Sequence, residues 1–463
     1  MATRPEKDAE DETKLNRGED VHRNNQQAWS YANHLPRDEP KNEHSVAAGA
    51  NDGESTHNVV PPNELEQRIA RREVVKYMAR VKDGIDIEKY REFLMTKVES
   101  GSWIYQIGPD QEIRGYGSVT LTQDAKTEVE NHKDTSFVME DLPLIPLRAL
   151  SSGTLPHTIH ENSAPIDKRR KLLPRNLAWK AQEYADDALV MDSQYPDSRF
   201  IDFTEFVYPE NAGEGIFVYV LDLGIQIKVK NPDDEREFKT DNDRVLQTTA
   251  SGNHGQSPDT DDNPIQPSHG AQVASKAVGR KFGLAKEATL VSTKLYPKTG
   301  DWENAMWLIL EDIRNHEGRA SRSVVTTSMA IGEGGWTPEA ARNNARNQRL
   351  YGNDLRALSS LGVPFVMASG NDAKQPNRGD VDQLPMVLQD DDTPLIIVGG
   401  SEWNGKRADF SQAGPLITVY APGVDIDCQT KDDKTETTAS GSSLAAPQVA
   451  GLIATYLSYK TKP

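Results

Sequence analysis

Short apolar strands alternate with amphipathic helices from about residue 176 to the end of the 463-residue chain. The run GIFVYVLDLGI at residues 215–225 is rich in β-branched and aromatic side chains and predicts a strand. Residues 301–316 carry apolar side chains at helical spacing. Further strands are predicted at residues 288–296, 323–330, 364–371 and 394–400, and further helices at residues 338–362 and 443–459. This alternation is typical of a mostly parallel sheet with helices on both faces, so residues 176–463 predict an α/β domain.

A smaller structured region precedes this domain, at residues 65–147. It begins with a predicted strand at residues 73–84, where a helix is the alternative, and continues with a helix that starts at the capping residue Asp86. The remaining elements are a strand, a helix and a strand at residues 114–122, 123–134 and 135–145. A β-α-β-β-α-β-like order of this size predicts a small α+β module.

Three further segments are polar. Residues 1–64 carry many charges and few apolar side chains, so we expect them to be disordered. Residues 148–175 form a connector whose basic cluster, KRRK at residues 168–171, is where a processing protease would cut. Residues 229–268 form a long polar stretch between two elements of the α/β domain, and we expect a surface insertion there.

Charge and cysteine content limit the function classes. The formal net charge of −18 argues against nucleic acid or an anionic membrane as the main partner, because both repel a polyanion. Cys428 is the only cysteine, which excludes an intramolecular disulfide and predicts a packed thiol. No run is apolar over the ~18 residues of a spanning helix, and the N-terminus has no apolar signal region. These features fit an intracellular protein if the N-terminus is complete.

Four polar residues lie where the α/β domain is expected to place functional groups. Asp222 ends a predicted strand, Asn371 follows another, and His269 and Ser443 each begin a predicted helix. Each has an ordinary structural interpretation: a strand-end turn, a turn at an asparagine beside a glycine, a histidine in a helix's first turn, and an N-cap serine. In an open parallel sheet, however, ligands and catalytic groups gather at the carboxyl ends of strands.

Together, these four residue types are those that acyl transfer through serine requires. An imidazole takes the proton of the serine hydroxyl, and a carboxylate holds the imidazole in the correct tautomer. Amide donors then bind the oxyanion of the tetrahedral intermediate. A serine at a helix N-terminus also gains from the helix dipole and from its own backbone N–H. Small neighbours such as those in ASGSSLAAP, at residues 439–447, let a substrate backbone come close.

The flanking residues resemble the motifs of the subtilisin-like serine proteases. The similar segments, in the family's order Asp, His, Asn, Ser, are DLGI at residues 222–225, HGAQVA at 269–274, ASGN at 368–371 and GSSLAAP at 441–447. The resemblance implies that Ser443 is the nucleophile, His269 the general base and then acid, and Asp222 the orienting carboxylate. It implies an oxyanion donor in Asn371. The substrate-binding residues it implies are Ser328, Met329, Ala330, Ala368, Ser369 and Gly370.

The same resemblance implies a zymogen. Residues 65–147 resemble the propeptide of the family, and the basic cluster at residues 168–171 would then be the maturation site. The expected partners are polypeptide substrates and the chain's own propeptide-like module, with no nucleic acid, no membrane and a monomeric state. No cofactor is expected; calcium, which often stabilises the family, is left open with no site assigned. The family is commonly secreted or vacuolar, which would apply here if the N-terminus is incomplete.

Two departures from the family pattern keep a second interpretation open. Leu223 replaces a small hydroxylated residue beside Asp222, and the chain ends soon after the helix of Ser443, where family members continue with further strands and a helix. We therefore expect a peptidase domain shortened at its C-terminus, and a catalytically inactive binding protein of the same fold remains the alternative. A nucleotide-binding protein is disfavoured, because no phosphate-loop motif occurs.

Overall fold

The computed structural model describes residues 73–82, 84–99, 104–107, 113–141, 144–147, 150–151, 178–193, 205–238, 244–247, 266–295, 299–331, 334–344 and 347–460. The predicted disorder of residues 1–64 and the basic cluster at residues 168–171 lie outside these residues. Among the described residues, no helix is both long and apolar enough to cross a bilayer.

A four-stranded antiparallel sheet with two helices forms the N-terminal part of the described structure. Its elements are β1 (Val75–Val81), α1 (Ile87–Met95), β2 (Ile104–Ile107), β3 (Ile113–Leu121), α2 (Gln123–Glu130) and β4 (Thr135–Glu140), and the strand order is β2-β3-β1-β4. The prediction of a strand rather than a helix at residues 73–84 is confirmed. Helix α1 begins as expected after Asp86, whose side chain accepts a hydrogen bond from the Lys89 amide. It buries Tyr90 and Leu94 against the sheet. Strand β2 was not predicted.

Seven parallel strands form the central sheet of the larger part. They are β9 (Phe217–Asp222), β10 (Arg244–Gln247), β11 (Thr289–Lys294), β12 (Ser323–Thr327), β14 (Phe365–Ala368), β15 (Ile396–Ser401) and β16 (Val419–Pro422), in the order β10-β11-β9-β12-β14-β15-β16. Every pairing between neighbours is parallel. The inner strands β9, β11, β12, β14 and β15 are buried along nearly their whole length, as expected for parallel strands covered on both faces, whereas the edge strand β16 begins with the exposed Val419 and Tyr420. The predicted α/β fold class is confirmed.

Helices cover this sheet. The main ones are α4 (His269–Val278), α5 (Thr299–Arg314), α7 (Asn353–Ser360) and α8 (Ser442–Lys460). Helix α8 packs against α4 and along β12, β14 and β15, whereas α5 packs against α7 and the β10-β11 side of the sheet. Short additional elements are β5 (Leu144–Pro146), β6 (Leu150–Ser151), β7 (Trp179–Glu183), α3 (Asp187–Asp192), β8 (Glu205–Pro209), β13 (Met329–Ile331), α6 (Pro338–Asn343), β17 (Ile426–Gln429) and β18 (Glu436–Ser440).

Three sequence expectations in this region were wrong in detail. The polar stretch at residues 229–268 is more than a surface insertion, because it supplies the edge strand β10 and the buried Phe238. The helix predicted at residues 338–362 is broken between α6 and α7, where Asn344 accepts a hydrogen bond from the Asn347 amide and competes with helical bonding. The strand predicted at residues 323–330 divides at Ser328 into β12 and β13.

The small antiparallel sheet packs directly on the α/β part, and residues Pro62–Pro463 form one compact unit. Met78 and Met139 belong to the same buried apolar cluster as the central sheet. Arg80 Nη1 lies 3.5 Å from Glu303 Oε1 on α5. Burial raises the pKa of the Glu303 carboxyl, and the nearby Arg80 charge partly offsets that rise. The module therefore docks through apolar side chains that the Arg80–Glu303 ion pair supports.

Candidate active site

Asp222 and His269 form a buried hydrogen-bonded pair at the carboxyl edge of the sheet. Asp222 is the last residue of β9, and His269 is the first residue of α4. His269 Nδ1 lies 3.0 Å from each carboxylate oxygen of Asp222, and neither side chain is exposed to solvent. The Leu223 amide donates to Asp222 Oδ1 at 2.8 Å. A carboxylate that accepts from Nδ1 leaves Nε2 as the imidazole atom able to take a proton.

A close backbone approach permits this pair. A Cβ atom placed on Gly270 would lie 2.0 Å from the Gly224 carbonyl oxygen, so only glycine lets α4 reach the loop that follows Asp222. Leu223 departs from the family pattern without adding bulk at the surface, because its side chain is 2% exposed and packs in the core. Leu223 therefore contributes apolar packing directly after Asp222.

Ser443 lies in the first turn of α8. Its side chain is buried, and its Oγ makes no hydrogen bond to any of the described residues. Pro447, four residues later, has no amide hydrogen to give to the Ser443 carbonyl. Ser328 Oγ donates to that carbonyl instead, at 2.9 Å. Ser328 thus completes the first turn of the serine's helix.

Hydrogen bonds connect the end of β9 to the start of α8 through β12. Leu221 lies opposite Thr327 in the β9-β12 pair, and Thr327 Oγ1 donates to the Leu221 carbonyl at 2.8 Å. Ser328, the next residue, is bonded to Ser443. Since β9 and β12 are adjacent parallel strands, Asp222 and Ser443 lie at the same edge of the sheet.

Asn371 is held by the residue that precedes Ser443. It lies in the loop after β14, and its Oδ1 accepts from the Ser442 amide at 2.8 Å and from Ser442 Oγ at 2.9 Å. Ser442 Oγ also accepts from the Gly370 amide at 3.1 Å. With Oδ1 occupied by these donors, the side-chain amide nitrogen of Asn371 is the atom that can donate to a substrate oxygen.

The remaining predicted substrate-binding residues surround these groups. Met329 and Ala330 lie in β13, which pairs antiparallel with β5, and the Leu147 amide donates to the Ser328 carbonyl at 2.9 Å. Ala368 ends β14 and is followed by the fully buried Ser369. The structure therefore brings the predicted residues to one edge of the sheet; their individual roles stay predictions.

Gln412 and Arg378 support the Asn371 loop and were not recognised in the sequence. Gly370 has a φ of +105°. The backbone N–H of Gln412 donates to the Gly370 carbonyl at 3.0 Å. Gln412 Nε2 donates to the Asp380 carbonyl and to Asp382 Oδ1, each at 2.8 Å. Arg378 forms ion pairs with the carboxylates that flank this loop, Asp372 and Asp382, at 2.7 Å. No local pattern marks Gln412, because its partners lie 30 or more residues away in the chain.

The lone thiol packs in a small apolar cluster with Leu444, the residue after Ser443. Cys428 is buried, as predicted, and burial raises its pKa well above the usual range for a thiol. Within the part of the chain that the structure describes, no three histidine, cysteine or acidic side chains come together in a way that could hold a metal ion. The calcium expectation stays a prediction without an assigned site.

The fold is a parallel α/β fold, and its sheet edge brings together Asp222, His269, Asn371 and Ser443. Residues 213–462 match the profile of the Subtilase family, and because they make up more than half of the chain, the chain belongs to the subtilase family.

Two relatives are named as subtilisin-like proteases. The chain is similar to Subtilisin-like protease 2 of Pseudogymnoascus destructans, with 32% identity over 250 residues, or 54% of this chain and 53% of the relative. It is also similar to Subtilisin-like serine protease Pen ch 13 of Penicillium rubens, with 29% identity over 253 residues and 54% of each chain covered. The chain thus spans about half the length of the curated relatives it matches.

Among solved structures, the chain is also similar to the crystal structure of a cold adapted subtilisin-like serine proteinase. It has 22% sequence identity, a TM-score of 0.42, and coverage of 60% of this chain and 86% of the other.

Proposed function

We propose that this chain is a serine endopeptidase that hydrolyses peptide bonds through an acyl-enzyme. The observation that carries the proposal is the buried Asp222–His269 pair, with both oxygens 3.0 Å from Nδ1, at the sheet edge where Ser443 begins a helix. The Ser443 hydroxyl makes no hydrogen bond to described residues, so it is not engaged as a helix cap. That absence favours a nucleophile over the ordinary N-cap interpretation.

Each group has a defined role in the reaction. Ser443 Oγ attacks the substrate carbonyl while His269 Nε2 takes its proton, and Asp222 holds the imidazole and stabilises the imidazolium. The oxyanion is stabilised by the Asn371 side-chain amide and by the Ser443 backbone N–H at the positive end of α8. His269 then gives the proton to the leaving amine, and a water molecule activated by the same imidazole hydrolyses the acyl-enzyme.

The chain is made as a zymogen in this proposal. Two observations support it. The module at residues 65–147 packs on the α/β part through Met78 and Met139, and β5 pairs with β13, the strand expected to bind substrate. A peptide added to that strand by backbone hydrogen bonds occupies the position of a substrate. The partners are therefore polypeptide substrates and the chain's own module.

Hydrolysis of an unfolded protein tests this function. The full chain is incubated with fluorescently labelled casein beside Ser443→Ala and His269→Ala, with the exposed Ser360→Ala on α7 as the matched serine control. We expect the parent and the control to hydrolyse casein and both site variants to lose activity by about 10⁴-fold or more. A folded parent that does not hydrolyse casein, or site variants as active as the parent, would contradict the proposal. The inactive parent would favour the binding-protein alternative.

A further inference from the structure

Ser268, the residue directly before His269, has a backbone conformation that is unusual for a serine. It is the N-cap residue of α4, and its φ of +72° and ψ of −5° place it in the left-handed region. This region is strained for residues other than glycine, and such strain persists only where the surrounding structure holds the residue. An N-cap serine ordinarily has an extended backbone and accepts a hydrogen bond from its own helix. Within α4, all of which is described, Ser268 makes no such bond.

The hydroxyl of Ser268 is bonded to the β17–β18 hairpin, residues 426–440, instead. Its Oγ accepts a hydrogen bond from the Lys431 backbone N–H at 3.1 Å. Lys431 lies in the turn between the two strands, and the Ser268 side chain is 9% exposed. The strained serine is therefore fixed by a segment that lies more than 160 residues further along the chain.

Two further hydrogen bonds join α4 to the same hairpin. Ser275 Oγ accepts from the Gln429 backbone N–H at 3.2 Å, and Lys276 Nζ donates to the Asp427 carbonyl at 3.3 Å. Both lie in the second half of α4, whereas the Ser268 bond lies at the end of the helix that carries His269. The hairpin thus holds both ends of α4, and Ser268 makes the contact beside the proposed base.

The same hairpin leads into the helix of the proposed nucleophile. Strand β18 ends at Ser440, three residues before Ser443. The Gly441 backbone N–H, in the short connection to α8, donates to the Gly423 carbonyl at 2.7 Å. The hairpin is therefore joined to α8 through the chain and to the start of α4 through Ser268, so it links the helices of the proposed nucleophile and base.

Resting on the endopeptidase function proposed above, we propose that Ser268 is a positioning residue for His269. The bond from Lys431 holds the start of α4 against the hairpin, and His269 follows any movement of that end because it is the first helical residue. Its imidazole must reach both Asp222 and Ser443, and a misplacement of about 1 Å can cost roughly 10²-fold in rate. Serine acts here through its hydroxyl, since glycine adopts the left-handed conformation with less strain but cannot accept the bond.

Substitutions at Ser268 separate positioning from a structural role. Ser268→Gly relieves the strain and removes the hydroxyl. We therefore expect its thermal stability to stay close to the parent's, while kcat on a peptide substrate falls by about 3- to 30-fold with KM within about two-fold. Ser268→Asn keeps a side-chain acceptor and tolerates the left-handed region, so it should restore most of kcat. If Ser268→Gly kept both its stability and full kcat, as expected of a serine with only a structural role, the proposal would be overturned.

Ser275→Ala is the matched control. It removes a buried serine hydroxyl that accepts a hydrogen bond from the same hairpin, on the same helix but almost two turns from His269. It should lose thermal stability and keep kcat. A loss of kcat in Ser275→Ala as large as that in Ser268→Gly would also overturn the proposal, because the effect would then not depend on the end of α4 that carries the base.

Proton NMR reports the placement of His269 without catalysis. In the full chain with Ser443→Ala, the proton between His269 Nδ1 and Asp222 should give a far-downfield resonance, assigned by its absence when His269→Ala is added. We expect this resonance to persist when Ser268→Asn or Ser275→Ala is added, and to broaden or disappear when Ser268→Gly is added. An unchanged resonance in the Ser268→Gly chain would overturn the positioning role.

The two readouts separate failure of this proposal from failure of the endopeptidase function. If the parent hydrolyses casein while Ser268→Gly keeps full kcat or an unchanged resonance, the positioning role is wrong and the endopeptidase stands. If the folded parent hydrolyses neither casein nor the peptide, the endopeptidase function fails. The resonance then decides by itself whether Ser268 holds His269 against Asp222.

Discussion

Removal of the Ser442 hydroxyl should slow catalysis without touching the three residues of the proposed triad. Ser442 Oγ donates to Asn371 Oδ1 at 2.9 Å and accepts from the Gly370 amide at 3.1 Å, and it is fully buried. Ser442→Ala removes both bonds but keeps the backbone bond from Ser442 N to Asn371 Oδ1. Asn371 therefore loses part of its support rather than all of it.

The size of the effect follows from the bonds that are lost. Each hydrogen bond contributes about 0.5–1.5 kcal/mol, so two bonds correspond to roughly 1–3 kcal/mol of stability. Complete loss of an oxyanion donor costs about 10²–10³ in kcat, which sets the limit expected for Asn371→Ala. Because one bond to Asn371 remains, we expect Ser442→Ala to lower kcat roughly 3- to 30-fold with little change in KM.

The assay is steady-state hydrolysis of one peptide substrate, with thermal unfolding of the same preparations. Ser458→Ala is the matched control, because Ser458 is a fully buried serine on α8 that donates to the Thr455 carbonyl and accepts from the Gly213 amide, far along the helix from Ser443. It should lose similar stability and keep kcat. Ser442→Thr, which retains the hydroxyl, should restore most of kcat. The positioning argument would be refuted if Ser442→Ala kept full kcat. It would also be refuted if Ser442→Ala lowered kcat by the same factor in an Asn371→Ala background as in the parent.

Three further predictions concern the buried pair, the close approach beside it, and a distant carboxyl. Asp222→Asn should lower kcat by about 10⁴-fold with the fold intact, because an amide cannot hold His269 in the same tautomer; kinetics and circular dichroism check this. Gly270→Ala should lower the free energy of unfolding by roughly 1–3 kcal/mol, and kcat with it, since its Cβ would meet the Gly224 carbonyl at 2.0 Å; thermal unfolding and peptide hydrolysis check this. Burial raises the pKa of the Asp192 carboxyl to about 7. The folded state therefore holds a proton on this group between about pH 4 and pH 7 that the unfolded state has lost, and the group's contribution to stability falls as the pH rises through that range. Asp192→Asn should raise Tm by a few degrees at pH 8 and change it little at pH 4.

Each of these has an outcome that would contradict it. Asp222→Asn with near-parental kcat would mean that the pair does not act in catalysis. Gly215→Ala is the control for Gly270→Ala, because Gly215 has a φ of +76° in open space and should lose only about 1–2 kcal/mol of stability with kcat unchanged. Equal kcat losses in the two glycine variants would argue against a local effect on His269. An Asp192→Asn stability gain that is the same at pH 4 and pH 8 would exclude titration as its cause.

The sequence was most informative where a residue's position can be recognised from its immediate neighbours in the chain. Asp222 was found because it ends an apolar strand, and Asn371 because it follows one beside a glycine. In a parallel sheet those local positions converge on one edge, so the sheet prediction also predicts where such residues meet. Helix α1 and strand β1 were predicted for a similar reason, since their periodicity and capping are local.

The sequence was least informative where partners are distant in the chain. Gln412 and Ser328 carry no motif that reveals what they bond, and their partners lie 30 or more residues away. Strand β10 was missed because it lies inside a polar stretch and becomes a strand only by pairing with the edge of β11. The contact between β5 and β13 joins segments nearly two hundred residues apart, so no local pattern could reveal it.

The most direct measurement is covalent labelling of the incubated full chain with a fluorophosphonate, followed by mass spectrometry of the labelled peptide. If the buried Asp222–His269 pair activates Ser443, the label is expected on Ser443 alone, and it should disappear in His269→Ala while Ser360→Ala labels like the parent. A folded, processed chain that carries no label at Ser443, or a His269→Ala variant that labels as fast as the parent, would contradict the proposed nucleophile and its base.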